Sequence, residues 1–298
     1  MWNNFLEKIK SGDIKTLARC ISLIENEAKG FEQFMQSLPK SEVPIIGITG
    51  PPGAGKSTLT DALIGHYVSA GKKIAVLCID PSSAFNLGAL LGDRIRMSSW
   101  YNNENVYIRS LASRGSLGGL NPKVIEITDI LKTANFDYII LETVGVGQSE
   151  IEIAGLADAT VVTLVPEAGD EIQTMKAGIM EIADVFVVNK ADRIGADTFV
   201  KNLRLMLAPT FTTHKEEVEV IKTVASKSQG IAELELAISK VLKNNKNDKK
   251  MWLLTEKAFQ LIQKEKMRGI TKVDLKNKIE KDALFNVYTF VYKFFNNN

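Results

Sequence analysis

Cysteine and histidine are scarce in this sequence, with two of each in 298 residues. Because Cys20 and Cys78 lie far apart along the chain, a disulfide framework and a cysteine-rich metal cluster are both excluded. The two histidines, His66 and His214, leave too few nitrogen ligands for a dedicated zinc or nickel site. The low cysteine content is typical of a reducing compartment.

A membrane-spanning segment and a strong charge of one sign are missing too. No apolar run approaches the roughly 18 residues that a bilayer requires. The first residues, MWNNFLEKIKSGDIK, carry acidic side chains and no apolar core, unlike a secretory signal. Lys and Arg number 37 and Asp and Glu 35, so the net charge of +2 indicates neither a nucleic acid nor an anionic membrane as partner. We expect a cytoplasmic protein.

Short apolar runs alternate regularly with longer amphipathic segments. Runs such as IIGIT and VFVV are apolar throughout or nearly so, which is typical of strands covered on both faces of a parallel sheet. The alternation predicts the α/β class, with a doubly wound, mostly parallel sheet of about seven strands. The predicted strands are Pro44–Thr49, Lys73–Asp80, Val106–Leu111, Phe136–Thr143, Ala159–Pro166, Val185–Ala191 and Val218–Ala225, and helices between them include Asn121–Ala134, Asp170–Ala183 and Ile231–Leu242.

Gly50–Ser57 reads GPPGAGKS and matches the phosphate-binding loop of P-loop proteins. An apolar strand precedes it and an amphipathic helix follows, a setting that disfavours the alternative of a glycine-rich turn with a chance lysine. We expect Lys56 to reach the β- and γ-phosphates and the Ser57 hydroxyl to bind Mg²⁺. The predicted phosphate contacts are Gly50, Pro51, Pro52, Gly53, Ala54, Gly55, Lys56, Ser57 and Thr58.

The residues Asn189–Asp192 read NKAD and follow the apolar run VFVV. A carboxylate at Asp192 accepts hydrogen bonds from the ring N–H and exocyclic amine of guanine, whereas adenine would leave it unpaired. Sites of this kind reject analogues by about 10⁴–10⁵. Lys190 is expected to lay its aliphatic stem along the base, and Asn189 to tie neighbouring loops together. The alternative, a helix-capping Asp192, is disfavoured downstream of a phosphate loop.

The segment 223–230, TVASKSQG, follows the last predicted strand and supports the same interpretation. A backbone N–H at Ala225 or Ser226 is expected to donate to the guanine carbonyl oxygen. Taken alone this would be an ordinary polar loop. Together with NKAD it predicts GTP and GDP as the bound nucleotides.

Three acidic residues lie where a metal ion and an attacking water are expected. Asp80 and Glu142 end predicted strands, and Asp93 lies in the polar segment LGDRIRM. Because Mg²⁺ prefers oxygen ligands, these acids and Ser57 form the predicted magnesium site. A helix cap is the alternative for any single strand-end acid. Glu142 begins ETVG, where many GTPases have Asp-x-x-Gly, which predicts a contact from the Gly145 N–H to the γ-phosphate.

Val146 follows Gly145, at the place where Ras-like GTPases carry a water-positioning glutamine. The difference predicts slow intrinsic hydrolysis, or a water held by other groups. Gln148 has a different spacing and receives no role. Four arginines fall in segments expected to face the phosphates or to form switch loops: Arg94, Arg96, Arg109 and Arg114. Arg96 is our candidate for nucleotide contact, with a surface ion pair as the alternative.

Composition divides the chain into three parts. Residues 1–40 are predicted to form a helical extension, 41–245 the P-loop domain, and 246–298 a C-terminal helical arm that is a candidate for dimerisation. The polar stretch Lys243–Lys250, KNNKNDKK, is the predicted linker. The aromatic end, ALFNVYTFVYKFF, suits either packing within the domain or a subunit interface.

The sequence resembles the MeaB/ArgK-type GTPases, the methylmalonyl-CoA mutase-associated proteins. The resemblance covers nearly the whole chain, from SGDIKTLARCISLIE through GPPGAGKST, VLCIDPSS, ETVGVGQSE and PEAGDEIQTMKAGIMEIAD to NKAD and TVASKSQGI. The phrases ETVGVGQSE and GDEIQTMKAGIMEIADVFVVNKAD are far more specific than the phosphate loop.

This resemblance implies a homodimeric P-loop protein of the SIMIBI class that chaperones an adenosylcobalamin-dependent acyl-CoA mutase. Such a chaperone gates cofactor loading and protects the mutase by binding and hydrolysing GTP. By similarity, the family's magnesium-site acids and phosphate lysine correspond to Asp80, Asp93, Glu142 and Lys56. Lys56, Asp80 and Glu142 are accordingly the candidate catalytic residues.

The resemblance also implies an extra switch in Asp170–Ala183 that relays the nucleotide state to the mutase. Asp170, Glu171 and Lys176 are its candidate residues, and a plain amphipathic helix is the alternative. The sequence has no cobalamin-binding motif, so cobalamin is expected to belong to the partner and not to this chain.

The sequence disfavours three other functions. A metallochaperone-like GTPase for nickel enzymes would need a patch of His and Cys that two of each do not supply. A kinase-like ATPase linked to amino-acid transport would use ATP, against which NKAD argues. A binding module with vestigial GTPase activity is disfavoured by the intact Lys56, Ser57 and acid set.

Overall fold

The computed structural model of the chain describes residue 2 and residues 4–80, 97–112, 121–143, 149–167, 177–207, 218–244, 248–281 and 285–296. Within these residues seven strands form one sheet: β1 (Ile45–Thr49), β2 (Ile74–Asp80), β3 (Val106–Ala112), β4 (Tyr138–Glu142), β5 (Ala159–Leu164), β6 (Val185–Val188) and β7 (Glu219–Lys222). The helices are α1 (Phe5–Lys10), α2 (Ile14–Glu25), α3 (Phe31–Gln36), α4 (Lys56–Ser69), α5 (Val124–Thr133), α6 (Ser149–Leu156), α7 (Ala177–Ile182), α8 (Ala196–Leu207), α9 (Ile231–Asn244), α10 (Asp248–Lys266), α11 (Lys272–Ile279) and α12 (Val287–Asn296).

The strand order is β3-β2-β4-β1-β5-β6-β7, and every neighbouring pair is parallel. The predicted doubly wound α/β sheet of about seven strands is confirmed. The largest errors lie at two strand ends: the runs drawn to Ala191 and Ala225 stop at Val188 and Lys222, three residues earlier in each case. Two residues beyond the end of β6, Lys190 adopts a left-handed backbone with φ 55°.

Both faces of the sheet are covered, which explains why its central strands are apolar at nearly every position. All residues of β1, β5 and β6 are buried. One face packs against α4 and α9 in a core that includes Leu59, Leu63 and Leu234. The other face packs against α8 through Phe199 and Leu203. Each such side chain contributes about 1.5–3 kcal/mol when fully buried.

The position of β1 determines where a ligand can bind. Its neighbours are β4 on one side and β5 on the other, so the strand order reverses around it. In open α/β sheets a crevice opens at such a point, beyond the carboxyl ends of the strands. The phosphate loop directly follows β1 and therefore lies at this crevice.

Arg109 joins the N-terminal helices to the edge of the sheet. From β3 it donates to Glu25 at 2.5 Å and to Ser22 at 3.1 Å, both on α2. Ile108, the residue before it, packs on the α4 side of the sheet. Because side chains alternate across a strand, Arg109 points to the opposite face. The prediction that Arg109 faces the phosphates is therefore wrong.

The stretch predicted as a linker, Lys243–Lys250, is mostly helical. Helix α9 continues to Asn244 and α10 begins at Asp248, with only 245–247 outside the described residues. Lysine is a good helix former, so a polar, lysine-rich sequence does not by itself break a helix. None of the helices in the described parts combines the length and apolar composition that a membrane crossing requires.

The chain divides into two compact units, Met1–Met251 and Trp252–Asn298. In the second unit the ring centroids of Phe290 and Phe294 lie 6.2 Å apart, and Lys278 Nζ lies 5.1 Å from the Phe294 centroid. Tyr288 and Tyr292 are exposed. The aromatic end thus packs partly within its own unit, and the three-domain division drawn from composition stays a prediction.

Gly47 provides a test of how the sheet packs against α6. A Cβ at this position of β1 would lie 2.9 Å from the Ala157 Cβ and 3.0 Å from the Ile153 Cγ1. We expect Gly47→Ala to push α6 away from the sheet. The free energy of unfolding should fall by about 1–3 kcal/mol, measured by chemical denaturation.

Gly65→Ala is the matched control, since Gly65 lies inside α4. A Cβ there would meet the Trp100 ring at 3.6 Å, an ordinary contact. Alanine is favoured over glycine in a helix by about 1 kcal/mol. The control should therefore keep or raise the stability. An equal loss in both variants would contradict the packing assigned to α6.

Candidate nucleotide-binding site

The phosphate loop between β1 and α4 depends on glycine at both ends. Gly50 has φ 136°, and a Cβ there would lie 2.1 Å from the Thr163 carbonyl oxygen on β5. Gly55 has φ 85° at the N-cap of α4, and a Cβ there would lie 2.5 Å from Asn189 Nδ2. The loop therefore lies directly on β5 and on Asn189. Its other predicted phosphate contacts, Pro51, Pro52, Gly53, Ala54 and Thr58, lie within the loop or on the first turn of α4.

Lys56, the first residue of α4, folds back over this loop. Its Nζ donates to the carbonyl oxygens of Gly50 at 2.9 Å and Pro51 at 3.1 Å, and the residue is 7% exposed. A buried ammonium is costly unless it has hydrogen-bond partners, and the loop carbonyls supply them. The charge of Lys56 thus lies inside the loop that is predicted to surround the phosphates.

The carboxylate of Glu142, the last residue of β4, lies against the start of α4. It is 3% exposed, and Ser57 Oγ donates to its Oε1 at 2.5 Å while Thr60 Oγ1 donates to its Oε2 at 2.8 Å. A hydroxyl oxygen of Ser57 and a carboxylate oxygen of Glu142 therefore lie next to each other. Mg²⁺ prefers oxygen ligands, so these residues fit this ion. In the described ranges no three His, Cys, Asp or Glu side chains gather as a metal site.

The amide of Asn189 connects three loops. Its Nδ2 donates to the Ala54 carbonyl at 3.0 Å, and its Oδ1 accepts from Thr223 Oγ1 and from the Ala225 N–H, both at 3.1 Å. The residue is buried. Because one side chain bonds the phosphate loop and the segment 223–230, it fixes the distance of both from the NKAD segment.

This geometry bears on the predicted guanine contact at Ala225 or Ser226, which stays a prediction. The Ala225 N–H, one of two candidate donors to a guanine carbonyl, is already bound to the buried oxygen of Asn189. Ala225 lies in a short 3₁₀ turn, Ala225–Lys227. Ser226, the next residue of the turn, is the other candidate donor, and both residues line the cavity described below.

Lys190 provides a second link between the NKAD segment and the phosphate loop. Its Nζ donates to the Gly53 carbonyl at 2.7 Å. A left-handed backbone costs a residue with a side chain about 1–3 kcal/mol, and such strain persists where the surroundings hold it. Here the Ala191 N–H donates to the Thr223 carbonyl at 3.0 Å and holds the turn in place.

Asp192 is paired with Lys227, whose Nζ lies 3.0 Å from Asp192 Oδ2. The hydrogen bond from Lys227 lowers the pKa of Asp192 below its ordinary value. The carboxylate is therefore ionised near neutral pH and acts as an acceptor only. Both side chains are partly exposed, and ion pairs of this kind stabilise little, so a ligand can replace Lys227 at small cost.

A cavity of about 320 Å³ lies beside the NKAD segment. Its lining consists of Gly55, Thr58, Asn189, Lys190, Asp192, Arg193, Val224, Ala225 and Ser226. A larger cavity of about 670 Å³ lies between α8, β7 and the start of α9, beside the ion pair of Asp197 and Lys222. It contains none of the predicted site residues, so the smaller cavity is the candidate base site.

Several predicted site residues lie outside the described residues: Asp93, Arg96, Gly145, Asp170, Glu171 and Lys176. The backbone of Asp80 ends β2, next to β4. It is two residues beyond Cys78, the Cα partner of Glu142. Asp80 thus lies at the same edge of the sheet as Glu142, and the roles of all these residues stay predictions.

Sequence reasoning missed Thr60 and Lys227. Thr60 lies three residues after Ser57, and residues at this spacing share a helix face, so the register of α4 could have indicated it. Lys227 directly follows Ser226, but its pairing with Asp192 depends on how the fold brings two distant loops together. No local pattern signals that contact.

The parallel sheet, with a glycine-rich loop between β1 and α4, defines a P-loop nucleoside-triphosphate-binding protein. The family described as Methylmalonyl Co-A mutase-associated GTPase MeaB matches residues 17–282, and the chain belongs to this family. The resemblance found in the sequence is therefore confirmed.

Individual relatives agree with this assignment. A putative GTPase of Pyrococcus abyssi is 46% identical over 239 residues, which span 78% of this chain and 74% of the relative. A fused isobutyryl-CoA mutase of Geobacillus kaustophilus is 34% identical over 276 residues, 87% of this chain and 25% of that protein. A solved structure described as a LAO/AO transport system kinase covers 99% of this chain and 92% of its own, with a TM-score of 0.67 and 24% identity, which bears on the fold alone.

Removing the Asn189 side chain should separate the loops that it joins. Asn189→Ala leaves the Ala54 carbonyl and the Ala225 N–H without this partner, and each unsatisfied buried group costs about 1–3 kcal/mol. We expect a lower free energy of unfolding. The affinity for guanine nucleotide, measured by calorimetry, should fall roughly tenfold or more.

Asp184→Ala controls for a general loss of stability. Asp184 Oδ2 accepts from the Thr160 N–H at 2.7 Å at the amino ends of β5 and β6, the sheet edge opposite the site. This variant should lower the stability and leave the nucleotide affinity unchanged. An equal loss of affinity in both variants would show that Asn189 acts through stability alone.

Proposed function

We propose that this chain binds GTP and GDP with Mg²⁺ and hydrolyses GTP to GDP and phosphate. The observation that carries this proposal is the bonding of the NKAD segment to the phosphate loop, through Asn189 to Ala54 and Lys190 to Gly53. The two segments are therefore close enough for one nucleotide to place its base beside residues 189–192 and its phosphates in the loop. Membership in a GTPase family supports the same reading.

In this proposal guanine takes the place of Lys227 on Asp192. The carboxylate accepts from the ring N–H and the exocyclic amine, and the Ser226 N–H donates to the guanine carbonyl. The stem of Lys190 packs along the base. Adenine presents no such donors at Asp192 and would leave its carboxylate unpaired, which disfavours ATP.

At the other end of the ligand, phosphate oxygens replace the Gly50 and Pro51 carbonyls as acceptors for Lys56. The N-terminus of α4 adds favourable dipoles for the anion. We further propose that the Gly145 N–H and the Arg96 side chain contact the phosphates. All these groups stabilise charge on the transferred phosphoryl group, which is the main catalytic task in this reaction class.

Ser57 and Glu142 would hold Mg²⁺, with Asp80 and Asp93 as further proposed ligands. When bound, this ion supplies positive charge that stabilises the phosphates during transfer. Lys56, Asp80 and Glu142 are the proposed catalytic residues. Burial keeps Glu142 away from bulk water, and the hydroxyls from α4 hold its carboxylate in place.

We also propose that the GTPase serves as a chaperone of an adenosylcobalamin-dependent acyl-CoA mutase, gating cofactor loading and protecting the mutase. Two findings support this role: the family is described as mutase-associated, and the Geobacillus relative carries its matching region within a protein named fused isobutyryl-CoA mutase. Fusion in one chain keeps two domains at a high effective concentration, as expected for proteins that bind each other. We propose that the cobalamin belongs to the mutase and that this chain forms a homodimer.

Asp192→Asn should change the base preference from guanine towards xanthine, because an amide donates where the carboxylate accepts. Titration with GTP, XTP and ATP measures this preference. Asp197→Asn is the matched control, since Asp197 is another exposed aspartate paired with a lysine, Lys222, at 2.8 Å. The control should keep the preference for GTP. If Asp192→Asn keeps it too, Asp192 is not in the base site.

Lys176→Ala should uncouple the mutase from the nucleotide state, if residues 170–183 form the proposed switch. Coupling free energies are typically about 1–3 kcal/mol and reciprocal between the two ligands. We expect the wild-type chain to bind a methylmalonyl- or isobutyryl-CoA mutase with different affinities in the GDP and GTP-analogue states, measured by calorimetry. The variant should lose this difference.

Lys15→Ala, an exposed lysine on α2, is the control for this experiment and should retain the shift. A full wild-type shift in Lys176→Ala would remove this lysine from the switch. If neither mutase binds the wild-type chain in any nucleotide state, the proposed partnership itself is wrong.

A further inference from the structure

Thr60 contacts Glu142, a proposed magnesium ligand. It lies one helical turn beyond Ser57 on α4, is fully buried, and donates from Oγ1 to Glu142 Oε2 at 2.8 Å. Ser57 donates to the other carboxylate oxygen at 2.5 Å. Each oxygen of Glu142 therefore has a hydroxyl from the same helix, and Thr60 belongs to none of the motifs that mark the site.

The direction of the Thr60 hydrogen bond is informative. A threonine hydroxyl in a helix commonly bonds a carbonyl of the preceding turn. Thr60 instead reaches across to β4. The Cα partners of Glu142 on the neighbouring strands are Ile48 and Cys78, which carry no strong side-chain donor. Hydroxyl donors for the carboxylate thus come from α4.

These two hydrogen bonds constrain the plane of the carboxylate. The last torsion of a glutamate side chain is broad and has no sharp rotamer preference of its own. Ser57 is expected to offer its lone pairs to Mg²⁺, so its position depends on metal and nucleotide. Thr60 lies one turn further along α4 and donates to Oε2, so its hydrogen bond does not use the carboxylate oxygen that Ser57 contacts.

We propose that Thr60 is a positioning residue, which orients the Glu142 carboxylate for Mg²⁺ in the nucleotide complex. The inference rests on the proposed function and deepens it. Groups that orient a metal ligand in this way typically change metal affinity or activity by about 10–100-fold when removed. A merely structural threonine would affect stability and leave the metal affinity unchanged.

Thr60→Val tests the proposal, since valine keeps the shape and loses the hydroxyl. Mg²⁺ is titrated by calorimetry into the GDP complex, and the GDP affinity is measured separately in EDTA. We expect the Mg²⁺ affinity to fall about 10–100-fold and the metal-free GDP affinity to stay within about threefold of wild type. Thr60→Ser, which restores the hydroxyl, should recover most of the Mg²⁺ affinity.

Thr128→Val is the matched control for loss of a buried threonine hydroxyl. Thr128 lies on α5, is fully buried, and donates to the Ile125 carbonyl at 2.8 Å. It should not change the Mg²⁺ affinity. A folded Thr60→Val protein with wild-type Mg²⁺ affinity would overturn the proposal.

A double-mutant cycle with Glu142→Gln tests whether Thr60 acts through this carboxylate. If Thr60 acts through Glu142, Thr60→Ser and Thr60→Val should have little further effect on Mg²⁺ affinity in the Glu142→Gln background. Additive losses would contradict the proposal. If Glu142→Gln and Ser57→Ala weaken Mg²⁺ binding and Thr60→Val does not, only the role of Thr60 fails. If the wild-type chain shows no Mg²⁺-dependent GDP binding, the proposed function fails.

Discussion

Three segments that leave β1, β6 and β7 meet at the buried amide of Asn189. A parallel sheet brings the carboxyl ends of its strands to one edge, but β5 separates β1 from β6. The amide sets the remaining distances, because it donates to one loop and accepts from another. A Cβ at residue 55 would lie 2.5 Å from Asn189 Nδ2, so glycine is needed for this approach. The separation of the proposed base and phosphate sites follows from it.

Three charged groups of the candidate site are hydrogen-bonded to protein atoms. Lys56 is bonded to loop carbonyls where phosphate oxygens are proposed to bind. Asp192 accepts from an ammonium where guanine would donate, and Glu142 accepts from hydroxyls of α4. For these three side chains, the proposed binding exchanges one set of hydrogen bonds for another. A site organised in advance loses less affinity to ordering costs.

Local patterns could predict much of this. The sheet was predictable because burial on both faces leaves continuous apolar runs, and GPPGAGKS and NKAD each occupy one short segment. Contacts between distant segments were not predictable. Thr60 and Glu142 are 82 residues apart, and Arg109 bonds α2 because of its strand register. Hydrophobicity does not report the left-handed backbone of Lys190, two residues beyond the end of β6.

The central claim is that Asp192 and the Asn189-bonded loops form a guanine-specific site in the 320 Å³ cavity. Calorimetric titration of the wild-type chain with GDP, IDP and ADP tests it most directly. IDP keeps the ring N–H and the carbonyl of GDP but lacks the exocyclic amine, so it should bind with intermediate affinity. We predict that ADP binds more weakly than GDP by about 10⁴-fold. Binding of ADP within about tenfold of GDP would contradict the account.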